Sequence, residues 1–389
     1  MYHTSHHCRY VGTGFFRARL SRYTVIAMGR YLLVIDSFKG CLTSPEAEAV
    51  VSEAILSCEP DAEVISIPVS DGGEGMLDAF LSVMGGERVS LRVRDPLGRA
   101  IASAYGVTRE GVALIESARA VGLHLVPPDR RNPLVASSYG VGEMVADAYR
   151  RGCQRFIVGL GGTATCDGGV GMLQALADAL GVERVALSEV LCDCHFVLAS
   201  DVTNPLCGPH GAAHVFAPQK GATPAMVSLI ESRMRELTAR AADHFGYDRS
   251  DVPGAGAAGG LGYAFMQFLG AECHSGIDLL LEYLHFDDLI LGADCVITGE
   301  GSADEQTLMG KLPYGIMRRA RSAGVPTWLV AGRIEARDKL LAAGFDRVAC
   351  INPPGTPLDV AMRPEVARAN LRTTILSLLR GEYGISCLE

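Results

Sequence analysis

Several short stretches of this 389-residue chain combine acids, hydroxyls, lysines and glycines in a way that suits work on a charged substrate. Asp36-Ser37-Phe38-Lys39-Gly40 supplies an acid, a hydroxyl and a lysine, and Ser70-Asp71-Gly72-Gly73-Glu74-Gly75 sets two acids among glycines. Ser200-Asp201-Val202-Thr203-Asn204 adds an acid beside hydroxyl and amide groups, and "TGEGSADEQTLMGK" (298–311) contributes Glu300, Asp304 and Lys311. "IVGLGGTATCDGGVGM" (157–172) turns from apolar to glycine, threonine and Asp167 within a few positions. Glycines at that density let backbone N–H groups face a ligand without Cβ obstruction, and a carboxylate among them suits an accompanying cation. Phosphoryl transfer uses this inventory. Amides and lysines hold phosphates, carboxylates position Mg²⁺, and another carboxylate orients or deprotonates the attacking hydroxyl. Magnesium takes one or two carboxylates with phosphate oxygens and waters, so a surplus of loop acids fits it. Singly, each stretch reads equally well as a capped turn; their recurrence at strand ends points to a site.

The elements that would position them alternate. "RYLLVID" (30–36) precedes a helical period at 44–57, with Ser44 as cap and Pro45 in the first turn. "EVISIPV" (63–69) precedes a helix "MLDAFLSVM". "RFIVGL" (155–160), "FVLAS" (196–200), "DCVITG" (294–299) and "PTWLVAG" (326–332) are further apolar runs ending in Gly, Ser or Asp. Strands alternating with helices predict a parallel α/β sheet, with ligands at the carboxyl ends of the strands. Residues 88–125 alternate with period two around Asp95-Pro96-Leu97-Gly98, which predicts antiparallel hairpin structure. The expected organisation is a parallel-sheet α/β domain over 28–70 and 285–389, interrupted by a mixed α/β domain over 71–284. Residues 1–27 lack apolar periodicity and a continuous apolar h-region, and read as a disordered extension ahead of a second methionine, Met28.

Composition narrows the partners. A net charge of −9 argues against nucleic acid and anionic membranes, while a small anionic substrate needs only a local positive pocket. The 12 cysteines include no C-x-x-C pair; Cys192-x-Cys194-His195 lacks a second ligand pair, so reduced thiols in a cytoplasmic protein are expected. The longest uncharged stretch, 252–271, is glycine-rich and reads as a buried loop leading into a helix, with no transmembrane segment. Composition does not fix an oligomeric state.

Competing motifs fail on position. A Walker A reading of Gly310-Lys311 meets Glu305 in place of glycine and Leu312 in place of a hydroxyl. Gly254-x-Gly256-x-x-Gly259 matches a dinucleotide fingerprint, but "FGYDRSDVP" before it is no strand, which argues against a nicotinamide dehydrogenase.

"DSFKG", "DGGEG", "DPLGR", "RNPL", "GLGGTAT-DGG", "DVTNPLCGPHGAA", "FAPQKGA", "PGAGAAGGLG" and "GEG-x-x-D-x-QT-x-x-GK" stand in the order found in the bacterial glycerate kinase family, of the glycerate 2-kinase type, which the chain resembles from about Met28 to Gly332. The resemblance implies ATP- and Mg²⁺-dependent phosphorylation of D-glycerate to 2-phosphoglycerate. It also implies an active site in a cleft between a Rossmann-like domain and a discontinuous mixed domain. On it, Lys39, Ser37, Asn204 and the Gly161-Gly162-Thr163 amides are expected to hold phosphate or substrate. Asp201 and Glu300 are expected to bind Mg²⁺ or activate the hydroxyl, with Asp71 and Asp167 next, and Arg131, Lys220 and Lys311 to meet the glycerate carboxylate. The usual asparagine before D-G-G is Cys166, and the usual arginine of G-E-G-R is Ser302, with Arg333 in the "AGR" turn as its candidate replacement. The alternative is a non-catalytic glycerate or nucleotide sensor derived from the kinase.

Overall fold

The computed structural model describes residues 29–38, 40–67, 69, 75–309 and 311–381. The expected 1–27 extension, Lys39 and Asp71 lie outside the described residues. The chain lays down β1 (Arg30–Ile35) and β2 (Glu63–Ser66), then β3 (Gly86–Arg94), β4 (Ala100–Thr108), β5 (Val112–Glu116), β6 (Arg155–Gly159), β7 (His195–Ala199) and β8 (Glu272–His274). It closes with β9 (Cys295–Ala303), β10 (Thr327–Ile334) and β11 (Arg347–Cys350). One sheet has the order β11-β10-β9-β1-β2, with every pairing parallel. The other runs β3-β4-β5-β6-β7-β8, antiparallel across its first two pairings and parallel thereafter. The fold is therefore α/β with one parallel and one mixed sheet, as the strand–helix alternation and the period-two segment predict.

A layer of helices joins the two sheets. Met76–Met84, Gly276–Tyr283, Phe286–Ile290 and Leu312–Ser322 contribute Leu77, Phe80, Leu280, Phe286 and Ile316, all fully buried. These pack in one core with Leu32 and Val34 of β1 and Val296 of β9 on one side, and Leu114, Ile157 and Ala199 of β5, β6 and β7 on the other. Each large side chain removed from water contributes about 1.5–3 kcal/mol, so the shared core opposes sliding of one sheet past the other.

Two local readings are corrected by the structure. The first helix, Ser44–Cys58, is capped by Thr43, which forms a capping box with Glu46. Ser44 has turned inward instead, and its Oγ accepts from the amide of Val69 at 3.1 Å, tying the helix start to the end of the β2 segment. β9 also runs further than an apolar count predicts. Gly299 and Gly301 interrupt the hydrophobic pattern, yet pairing with β10 continues to Ala303 opposite Ile334. A Cβ at Gly332 would stand 2.7 Å from the carbonyl oxygen of Gly301, so glycine is what lets the two strands stay paired here. β8 and β11, each short, lie in segments without a long apolar run.

Glu48 is an uncommon core residue, 1% exposed. Its Oε1 accepts from the amide of Ile35 at 3.2 Å, at the carboxyl end of β1, while Oε2 has no hydrogen-bond partner. Burial pushes its carboxyl up to about 8, against which the Ile35 hydrogen bond acts only weakly. The folded state thus keeps a proton that the unfolded chain has released above about 4.5, and stability falls as pH rises between those values. Glu48→Gln should be close to neutral at pH 5. At pH 7 it should raise the unfolding free energy by about 3 kcal/mol, at 1.36 kcal/mol per pH unit above 4.5. Denaturant melts of both proteins across this range check it, and a pH-independent difference would show that Glu48 is ionised in the fold.

Candidate active site

The carboxyl ends of β1, β7, β9, β10 and β11 converge on a cavity of about 530 Å³. Asp36 and Ser37 follow β1, Asp201 follows β7, and Glu300 and Ser302 lie on β9. Lys311 enters from the residue that precedes the Leu312–Ser322 helix, and Arg333 and Asn352 from the ends of β10 and β11. Residues of both sheets thus face one space, as expected where strand ends meet in an α/β fold.

Glu300 is its most buried acid, 6% exposed. The Thr307 hydroxyl donates to its Oε1 at 2.6 Å, and the Lys311 ammonium lies 3.4 Å from Oε2. Thr307 is aimed by the backbone: the amide of Asp304 donates to its Oγ1 at 3.0 Å, and Asp304 Oδ1 in turn accepts from the amide of Gln306 at 2.8 Å. The 304–307 turn is therefore a brace for Glu300, which explains an acid and a threonine at that spacing. Burial pushes the Glu300 carboxyl above its ordinary value; the Thr307 hydrogen bond and the Lys311 charge partly offset this, and Asp304 adds to it. A carboxylate raised by burial but still paired with a cation can accept a proton at a reacting hydroxyl.

Of the residues singled out in the sequence, Ser37, Asp201, Glu300 and Lys311 line this cavity. Arg333 stands opposite Ser302 in the β9–β10 pairing, its guanidinium 2.6 Å from Glu335 and its side chain 74% exposed, so a cation occupies the strand position beside the missing arginine. Asn352 escaped sequence reading because β11 is short; its Nδ2 donates to the carbonyl of Gly332 at 2.7 Å, which fixes its orientation. Among the described residues no cluster of three His, Cys, Asp or Glu is arranged to hold a metal.

The other singled-out residues are placed away from the cavity lining. Asp167 serves the helix Val170–Leu180: Oδ1 accepts from the Gly169 amide at 3.1 Å, and Oδ2 from the amides of Ser138 and Gly171 and the Ser138 hydroxyl. Lys220 is buried, its ammonium 2.8 Å from the carbonyl of Thr165 and 3.3 Å from Thr163 Oγ1, and burial holds its pKa below the ordinary lysine value. Asn204 Nδ2 donates to the carbonyl of His210 at 2.7 Å, and Arg131 Nε to that of Val126 at 3.4 Å. Gly161 and Gly162 stand at the β6 end, Gly162 exposed, with its carbonyl accepting from the Leu123 amide at 2.8 Å. Deeper in that loop the glycines serve packing. A Cβ at Gly259 would lie 2.0 Å from the carbonyl oxygen of Thr165, and the Gly168 amide donates to the carbonyl of Gly259 at 3.1 Å. The two glycine-rich segments, 159–169 and 254–262, are thus pressed backbone to backbone, with Lys220 beneath the first.

Comparison with known proteins agrees with this architecture. The family described as the Glycerate kinase family matches residues 31–184 and 176–381. A glycerate kinase of Haemophilus influenzae is 38% identical over 340 residues, covering 82% of this chain and 90% of the relative. A glycerate 2-kinase of Escherichia coli is 38% identical over 325 residues, covering 78% of this chain and 85% of the relative. A crystal structure described as a glycerate kinase 2 from Salmonella typhimurium LT2 superposes with a TM-score of 0.77 at 34% identity, covering 91% of this chain and 98% of that one.

The hydrogen bonds of Lys220 fit a scaffold role, which a substitution tests. Lys220→Met leaves the Thr165 carbonyl without its donor, and should lower the unfolding free energy by about 1–3 kcal/mol. Kinetic constants of the folded variant should stay within about twofold of the wild type. A substrate KM raised tenfold or more with unchanged stability would return Lys220 to the substrate contacts.

Proposed function

The chain belongs to the glycerate kinase family and is a kinase, and from that premise we propose that it transfers the γ-phosphoryl group of ATP to the 2-hydroxyl of D-glycerate. The observation that carries this reading is the convergence of Glu300, Lys311, Asp201 and Asp36 on one cavity fed by both sheets. In the proposed reaction the hydroxyl oxygen forms a bond to the γ-phosphorus, the bond to the ADP oxygen breaks, and the hydroxyl proton passes to Glu300. Lys311 stays close enough to Glu300, at 3.4 Å, to share its charge between the carboxylate and an incoming phosphate. Such positioned cations act on charge that develops during transfer.

Mg²⁺, when bound, would neutralise phosphate charge and orient the γ-phosphoryl group. The donor set fits it: oxygen ligands are what magnesium prefers, and one or two carboxylates suffice when phosphate and water complete the shell. Both Glu300 oxygens already have partners in Thr307 and Lys311. We place Asp201 and Asp36 at the metal and Glu300 at the proton because burial raises the Glu300 carboxyl above its ordinary value, as suits a general base, which separates two roles that sequence alone left shared.

ADP release should require both D-glycerate and a divalent metal, and NMR of the product should show the phosphoryl group on the 2-oxygen. Asp201→Asn and Glu300→Gln should each lower turnover at least ~10²-fold with little change in melting temperature. Because the base must be ionised, activity should fall as pH drops through a carboxyl value above the ordinary 4.5. Lys311→Met, which removes a charge that lowers this value, should move the acid limb of kcat/KM to higher pH. Metal-independent turnover, or none with any small hydroxy acid, would sink the assignment.

If Arg333 supplies the cation absent at Ser302, Arg333→Ala should raise the KM of one substrate by about one to two decades, the scale of a charge-assisted hydrogen bond. Ser302→Arg should then be neutral or harmful, since two guanidinium groups would crowd adjacent strand positions. Improved KM in Ser302→Arg would show instead that the site lacks its cation.

A further inference from the structure

The cavity lining is of two kinds, and the proposed glycerate chemistry draws only on the charged one. Asp36, Asp201 and Glu300 come from the ends of β1, β7 and β9, with Lys311 beside them in sequence, whereas an apolar part of the lining comes from the end of β11, at the sheet edge, and from the segments after it. Its floor is Ile351 and Ala367, both buried, and its rim is Leu358 and Met362, which are 76% and 38% exposed. Glycerate is too small to fill a volume of about 530 Å³, which lies within the range of sites for drug-sized ligands. Large apolar side chains exposed beside a cavity, above a buried apolar floor, mark a surface that a ligand covers.

The rim is held firmly. Leu358 opens the short helix Leu358–Ala361, which follows Pro353-Pro354-Gly355-Thr356-Pro357, a stretch whose prolines restrict the backbone. The helix leans on the loop after β1: Cys41 Sγ lies 3.9 Å from the carbonyl of Ala361, and a Cβ at Gly40 would stand 3.1 Å from Met362 Cε. Asn352, between rim and β10, is locked on both sides of its amide, donating to Gly332 and accepting from Asn370 at 3.0 Å.

We propose that this apolar lining is the nucleotide's base site, with the adenine lying against Leu358 and Met362 over Ile351. The proposal rests on the kinase reading, and deepens it by assigning the two kinds of lining in one cavity to the two substrates. A base is planar with apolar faces, so it suits a floor and rim without charge, and its phosphates would then extend toward Lys311 and the acids. Other apolar lining residues, among them Ile277, Leu312 and Pro313, are buried, whereas Leu358 and Met362 present exposed side chains.

Leu358→Glu and Met362→Glu test it at exposed positions where folding is little disturbed, with Leu358→Met as the conservative control. ADP binding by calorimetry and steady-state kinetics are measured on the whole chain. Each charged variant should weaken ADP and raise the ATP KM by about tenfold or more, while the glycerate KM stays within about twofold. Leu358→Met should behave as the wild type. Unchanged ADP affinity in both charged variants, or a rise confined to the glycerate KM, overturns the base site. Calorimetry does not depend on turnover. ADP binding that is lost in Leu358→Glu, from a wild type inactive on glycerate, would remove the kinase reading and keep the base site. A wild type that does not bind ADP removes the base site outright.

Discussion

The burial of one helical layer between two sheets is the constraint from which the site follows. Leu77, Phe80, Leu280, Phe286 and Ile316 are inaccessible to water and touch strands of both sheets, so neither sheet can be moved without opening the other's core. β1 and β9 contribute to this core through Leu32, Val34 and Val296, and the same strands end in Asp36 and carry Glu300. β7 contributes Ala199 and is followed by Asp201. The acids that line the cavity are thus attached, two to four residues on, to fully buried positions of the shared core.

Glu300 shows how such a site balances opposing electrostatic effects. Burial disfavours its charged form, while one neutral hydroxyl and one ammonium favour it. Neither wins outright: the carboxyl is displaced upward but retains two partners that hold its orientation. Complete exposure would remove the upward shift, and burial without Lys311 would raise the carboxyl further. A half-exposed lysine against a buried carboxylate leaves Glu300 raised by burial yet still paired, the condition on which the proposed proton transfer draws.

Much of this was legible in the sequence, and the gaps have physical causes. Alternation of apolar strands with helices and the period-two segment around Asp95-Pro96-Leu97-Gly98 found both sheets, because burial on one face or two leaves its own period. Acids at strand ends found Asp201 and Glu300. β11 and the apolar rim at Leu358 and Met362 were missed, since four-residue elements carry too little periodicity to stand out. The extension of β9 through Gly301 was missed because glycine usually reads as a break; here the missing Cβ of Gly332, facing the Gly301 carbonyl, is what permits the pairing. The cap at Thr43 was displaced by one residue because Ser44 has the same chemistry and only tertiary contact with Val69 separates them.

The placements of Asp167 and Lys220 bear on how motifs should be read. Both belong to segments whose residue types suggest phosphate chemistry, yet each is engaged with backbone around the 161–171 turn. A turn built from glycines has few side chains of its own to fix it and loses more conformational entropy on folding than any other. Its amides and carbonyls must therefore be satisfied from outside, by an acid at the helix start and by a buried ammonium beneath the carbonyls. Acid, lysine and glycine recur together here for the same reason they recur in phosphate sites, since both arrangements must pair a dense set of exposed backbone dipoles. The distinguishing feature is whether the charged atoms face the backbone or the cavity. By that test Glu300 and Lys311 face the cavity, while Asp167 and Lys220 face the loop beside it.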